Sequence, residues 1–211
     1  MNLNLKLSLP VVIVFFFIIQ PLSKAQLVYT GIEKEKVQQV YAEQSNINWY
    51  WAASVQFVLN NYGAKVSQED IIKRSFYTYD PYDSLPDFQA NLSKIIWRLN
   101  RWIIYYHKKR FVIEAKLVNE VPEAKFLYDK LKAMQPVIFL AKDSVNNFTP
   151  YICTAVGFMP GYYGPVPKQF MIRSVIPSCQ NENKDGSILW NVESLPNRVA
   201  KYCIISVKQK K

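Results

Sequence analysis

The chain has 211 residues, 50% of them hydrophobic and 15% aromatic, with 26 basic against 16 acidic side chains and a formal net charge of +10. So many large apolar residues exclude a disordered chain, and the length suits one domain with a sizeable core. Cys153, Cys179, Cys203 and the single histidine, His107, fit no zinc-ligand spacing, so neither a metal nor a cofactor is expected.

Residues 1–25 read as a signal peptide, with Lys6 near the start, an apolar run over 7–19 and Ser23-Lys24-Ala25 resembling a small-residue cleavage site. The run falls short of the roughly 20 residues a membrane-spanning helix needs, so export is expected, to the periplasm, the cell envelope or the outside, rather than anchoring. The mature chain, 26–211, reads as one domain without an internal repeat or linker. Its basic residues are scattered apart from Lys108-Lys109-Arg110 and Lys208, Lys210 and Lys211. That excess permits contact with an anionic envelope surface and equally describes a solubilising surface; it does not specify nucleic acid.

In chain order, 37–41 predicts an entry strand. The stretch 44–63 then predicts the central helix, from about 49 to 62, capped by Asn48 and ended by Gly63 in the left-handed region. Trp51, Val55, Val58, Leu59 and Tyr62 lie on one side of it and Ala53 and Phe57 on the other, the pattern of a core helix. Ala52 and Ala53 would let another element approach closely. Ser67 and Asp70 make a capping-box-like start for a helix to about 74, followed by an aromatic loop over 76–82. Pro86 opens a third helix carrying Phe88, Leu92, Ile95, Ile96 and Leu99 at helical spacing. Strands are predicted over 103–106 and 111–113 around a basic turn at 107–110, then a helix opened by Pro122 with Phe126, Leu127 and Leu131. Apolar runs at 137–141, 151–158, 170–175 and 202–207 complete a β-rich half. Helices first and a sheet afterwards is an α+β order. An oxidising compartment would allow one disulfide, and Cys179 with Cys203 is the expected pair because Cys153 lies in a run that reads as core.

The stretch Gln44, Trp49-Tyr50-Trp51-Ala52-Ala53-Ser54 resembles the nucleophile helix of papain-like cysteine peptidases, in the bacterial secreted branch whose pattern is Q, five residues, then C in WCWAAS. Tyr62-Gly63 and Val66-Ser67-Gln68-Glu69-Asp70 extend the resemblance, as do Gln135-Pro136-Val137-Ile138, the run from Pro150 to Gly157, and Gly186 with Trp190. The resemblance implies a papain-like fold, an N-terminal helical half with a buried central helix packed against a C-terminal antiparallel β half. It also implies that Gln44 is the oxyanion-type residue. The nucleophile position is Tyr50, however; the general-base position, six residues before Gly157, is Tyr151; and the orienting position before Pro177 is Ile176. All three catalytic positions are thus replaced.

A phenol without a base is a poor nucleophile. His107 lies about 50 residues before the appropriate strand, in a Lys-rich turn, and reads as a solvated turn residue. Cys153 shares a strand face with Tyr151 by period-2 alternation and reads as a small buried thiol, and Ser54 reads as packing. The expected function is therefore a secreted pseudopeptidase that binds a peptide or protein through Gln44, Trp49, Tyr50, Trp51, Tyr151, Cys153 and Trp190, without catalytic residues. The alternatives are a hydrolase with displaced catalytic residues and a structural envelope protein whose groove is filled by Tyr50 and Tyr151. The fold implied brings those two tyrosines together, as an edge-to-face pair or as an outward platform.

Overall fold

A computed structural model describes residues 27–76, 85, 91–142, 148–159, 166–173 and 187–210. The expected signal peptide, the loop over 77–82, Pro86, Phe88, Ile176, Cys179 and Gly186 lie outside the described residues. Among those described, the chain runs β1 (Val28–Gly31), α1 (Lys34–Val40), α2 (Tyr50–Asn61), α3 (Gln68–Phe76), α4 (Leu92–Ile95) with a 3-10 turn (Ile96–Leu99), and the hairpin β2 (Ile103–Tyr106) and β3 (Lys109–Val118). Then follow α5 (Ala124–Lys132), β4 (Val137–Lys142), β5 (Phe148–Met159), β6 (Val166–Arg173), β7 (Ser187–Asn191), a 3-10 turn (Val192–Ser194), α6 (Leu195–Arg198) and β8 (Val199–Lys210). This is an α+β fold, a helical N-terminal part against an antiparallel sheet.

The eight strands form one sheet in the order β2-β3-β8-β4-β5-β6-β7, with β1 also pairing with β5. β6 pairs with β5 over stretches that overlap both β4 and β1, so β4 and β1 share the other edge of β5, end to end. β1 approaches that edge closely: a Cβ on Gly31 would meet the Thr154 carbonyl oxygen at 2.3 Å, so only glycine fits there.

Two cores form, one on each face of the sheet. On one face α1, α2, α3 and α4 pack against Ile138, Leu140, Ile152, Cys203 and Ile205. On the other, Leu127 and Leu131 of α5 cover Val137, Phe139, Cys153, Val156 and Phe170. Alternation along β4 and β5 assigns successive residues to the two cores, as a sheet buried on both faces requires.

α2 is the central helix expected. Its residues from Tyr50 to Leu59 are buried except Gln56, and Gly63 ends it at φ +78°, its N–H bonded to Asn60 O at 2.9 Å. The capping box of α3 is also present: Ser67 Oγ donates to Asp70 Oδ2 at 2.7 Å and accepts from the Asp70 N–H at 3.0 Å. In α4 and its 3-10 turn, Leu92, Ile95, Ile96 and Leu99 are all buried, and Asn91 caps the start by accepting the Ser93 N–H at 3.0 Å.

Several expectations need correction. Residues 37–41 form most of a helix rather than a strand, because Val37 and Val40, three apart, turn to the same side and bury in the core that holds α2. Asn48 does not cap α2. Asn46 builds the preceding turn instead, its Oδ1 accepting the Asn48 N–H at 3.0 Å and its carbonyl the Trp49 N–H at 2.9 Å. The expected Cys179–Cys203 disulfide is not formed: Cys203 is a free thiol, held in the core between the sheet and α2 by inward alternation along β8.

Candidate functional site

The N-terminus of α2 is the place where the motif residues gather. The Asn46 turn delivers the chain to Trp49, which stands at the cap position but does not cap the helix with its side chain, and the helix begins at Tyr50. Its first N–H groups have no partner within the helix, which leaves positive potential at Tyr50. Trp49 and Tyr50 are nevertheless both buried, so this helix end is covered by packing. Trp51, 1% exposed, points into the core and is placed by its packing rather than presented to a partner. The Ser54 hydroxyl donates to the Tyr50 carbonyl at 2.9 Å within the helix, a self-satisfied packing role.

Gln44 lies in the segment before the Asn46 turn, half-buried, with its Oε1 buried and without a hydrogen-bond partner. The backbone on both sides of it is clamped by a residue that sequence reading did not single out. Gln68 Oε1 accepts the Ser45 N–H at 2.9 Å, and Gln68 Nε2 donates to the Glu43 carbonyl at 2.7 Å and to Gln56 Oε1 at 2.9 Å. Gln56 in turn donates to the Val66 carbonyl at 2.8 Å. A buried glutamine at the start of α3 therefore fixes Gln44 from the side. The signal available in the sequence was Gln68 itself, an amide inside the Ser67–Asp70 capping box, where a solvated surface residue would be ordinary. Gln68→Ala should cost about 1–3 kcal/mol, since it strands two backbone groups and Gln56 Oε1; urea unfolding at neutral pH measures it.

Tyr151 is not opposite Tyr50. Its ring lies 5.1 Å from that of Trp190 and packs with the core under α5, whereas Tyr50 belongs to the core under α2. The two tyrosines thus stand on opposite faces of the sheet and form neither the edge-to-face pair nor the shared platform expected. The reason is local. The β5–β6 register shifts between Cys153 and Ala155, a bulge that resets period-2 alternation, so counting back from Gly157 does not preserve the face. The β5 residues turned to α2 are Phe148, Pro150 and Ile152, with Phe148 and Ile152 in contact with that core.

The seven residues expected to line one groove consequently divide into two groups. Gln44, Trp49, Tyr50 and Trp51 sit at the α2 end, while Tyr151, Cys153 and Trp190 sit beneath α5 with Phe139, whose ring stacks 6.3 Å from that of Trp190. Cys153 is wholly buried, and burial pushes its thiol well above the ordinary range, against any thiolate role. His107 occupies the left-handed turn between β2 and β3, at φ +47°, and is separated from β5 by β3, β8 and β4. At the usual strand spacing that is on the order of 20 Å.

No protein-family model and no curated protein matches the chain. Among solved structures, it is similar to the peptidase domain of Streptococcus ComA, a bifunctional ABC transporter involved in quorum sensing, at 12% identity over 79% of this chain and 98% of that one, with a TM-score of 0.46. It is also similar to a double-glycine-motif protease from an AMS/PCAT transporter in complex with the leader peptide, at 16% identity over 86% of this chain and 91% of that one, with a TM-score of 0.43. At these identities neither likeness assigns a role to any residue of this chain.

Proposed function

We propose that the chain is an exported papain-like pseudopeptidase, a protein that binds peptide or protein segments and does not cleave them. The observation that carries this reading is the sheet face turned to α2. Where a peptidase of this kind requires a base facing its nucleophile, β5 offers Phe148, Pro150 and Ile152, none of which can move a proton. The residue at the positive end of α2 is a buried tyrosine in place of a thiol. The motif around Gln44, the Gln68 clamp and the helix-against-sheet order support descent from that fold, and the apolar N-terminal run of the sequence supports export. Among the described residues no helix is long and apolar enough to cross a membrane.

Burial of Trp49 and Tyr50 favours a filled site over an open groove, so the partner binds on another surface and the α2 end serves as structure. The purified mature chain is expected to leave casein and mixed peptides intact. Cleavage that survives repurification and disappears in Gln44→Ala would falsify the reading. Cleavage lost only in Cys153→Ala would move the chemistry to the core under α5.

A further inference from the structure

Among the described residues the sheet has an open edge at β2, and that edge borders a basic cleft. In the β2–β3 hairpin, Tyr106 faces Lys109 across the two-residue turn and Ile104 faces Phe111. These are the inward-bonded positions, in phase with the Ile113 N–H bonded to the Trp102 carbonyl at 2.9 Å. Ile103 and Tyr105 therefore turn their N–H and C=O groups away from β3, where no other described strand pairs with them. Their side chains are exposed as well, by 38% and 74%. Natural sheets protect such edges with lysine, proline or a covering element, and Ile103–Tyr106 reads Ile-Ile-Tyr-Tyr, with neither residue.

Between β2 and α3 lies a cleft of about 320 Å³ lined by Lys65, Asp70, Lys73, Arg74, Trp102 and Tyr105, among others. The Asp70 carboxylate is engaged with Ser67 in the capping box. No ion pair among the described residues uses Lys65, Lys73 or Arg74, and Arg74 Nε is buried without a hydrogen-bond partner. An open strand edge with unpaired cations beside it calls for a specific complement: an extended backbone to pair with the edge, and carboxylates to meet the cations.

We propose that β2 receives an acidic peptide segment as an added strand, its backbone pairing with Ile103 and Tyr105 and its Glu or Asp side chains reaching Lys65, Lys73 and Arg74. This deepens the binding reading by giving it a surface and a partner chemistry, and it rests on that reading only in that the segment is held uncleaved. A second copy of the chain is the poorer occupant, because pairing β2 with itself would bring two clusters of like charge to one seam.

The test uses the mature chain and a blocked peptide of about eight residues alternating Glu and Val, with a Lys-for-Glu version as the control. The acidic peptide is expected to bind, the lysine peptide not, and hydrogen exchange is expected to slow at the Ile103 and Tyr105 amides. Lys73→Glu, a surface change on α3, should weaken binding about tenfold or more, and so should 0.5 M salt. Tyr105→Pro removes an outward donor while leaving the inward bonds of Ile104 and Tyr106, a change an edge strand tolerates, and it should abolish the protection. Should that variant misfold, Lys73→Glu and the exchange map decide alone. Equal binding of both peptides, binding indifferent to Lys73→Glu, protection mapping elsewhere, binding of neither peptide, or a concentration-dependent dimer sealed at β2 would each overturn the proposal. Cleavage of the acidic peptide would overturn the pseudopeptidase reading instead, and the edge would remain as the place where a substrate docks.

Discussion

Replacing Trp51 by alanine is expected to destabilise the protein by about 3–5 kcal/mol, the range for truncating a fully buried large aromatic side chain. Trp51 is the largest wholly buried side chain of α2, and its ring meets Phe76 of α3 edge-on at 6.0 Å, so its loss opens a void between two helices. Ala52 and Ala53 beside it have no side chain with which to fill that void, so relaxation is limited. Trp51→Phe is the informative companion. The indole Nε1 is buried without an acceptor, so phenylalanine gives up volume but also removes a desolvated donor, and the cost should fall to about 1–2 kcal/mol. Urea unfolding of the two variants, with an unchanged denaturant slope, measures both. A Trp51→Ala protein within about 1 kcal/mol of wild type would remove α2 from the centre of the fold.

The parts of the fold legible in the sequence are those whose signals are local and redundant. The apolar residues on both sides of α2, glycine after its last turn, the Ser67–Asp70 box and the tight basic hairpin each carry their own geometry, and each lies where expected. In α1 the β-branched Val37 and Val40 and the neighbouring Tyr41 suggest a strand by residue type, whereas the three-residue spacing of the valines puts both on one helix face, which buries in the core that holds α2. β1 and β7 are short and formed by pairing with β5 and β6, information that no window of a few residues contains.

The candidate site was legible on one side only. Tyr50 is placed by the helix it begins, but the face of Tyr151 depends on the bulge in β5, which exists only through pairing with β6. The cleft at β2 was less visible still. Lys65, Lys73 and Arg74 look like ordinary surface cations until the fold brings an open strand edge beside them.

Alkaline pH is expected to unfold this protein with a steepness to which the buried thiols of Cys153 and Cys203 contribute. Burial pushes Cys203 up to about 12 and Cys153 higher still, while an unfolded thiol ionises near 9. The folded state therefore retains protons that the unfolded state releases, so the stabilisation is complete below pH 9 and is lost as pH rises from there towards the folded values. Each retained proton lowers stability by about 1.4 kcal/mol per pH unit, so two thiols give about 2.7 kcal/mol per unit. Between pH 9 and 11 the loss is about 5 kcal/mol, comparable with the whole stability of an ordinary domain. The Tyr62 phenol, pushed up to about 12 by burial and with a buried, unpartnered hydroxyl, adds in the same direction above pH 10. Urea midpoints at pH 8, 10 and 11 under reducing conditions measure the slope. Cys203→Ala should roughly halve the thiol contribution, at some cost in stability at neutral pH, and Cys153→Ala should do the same from the other face of the sheet. Because the two thiols lie in separate cores, their effects should add in the double variant. Stability that stays flat to pH 11, or thiols that react with a disulfide reagent as fast in the native protein as in urea, would mean that β5 and β8 do not bury these side chains.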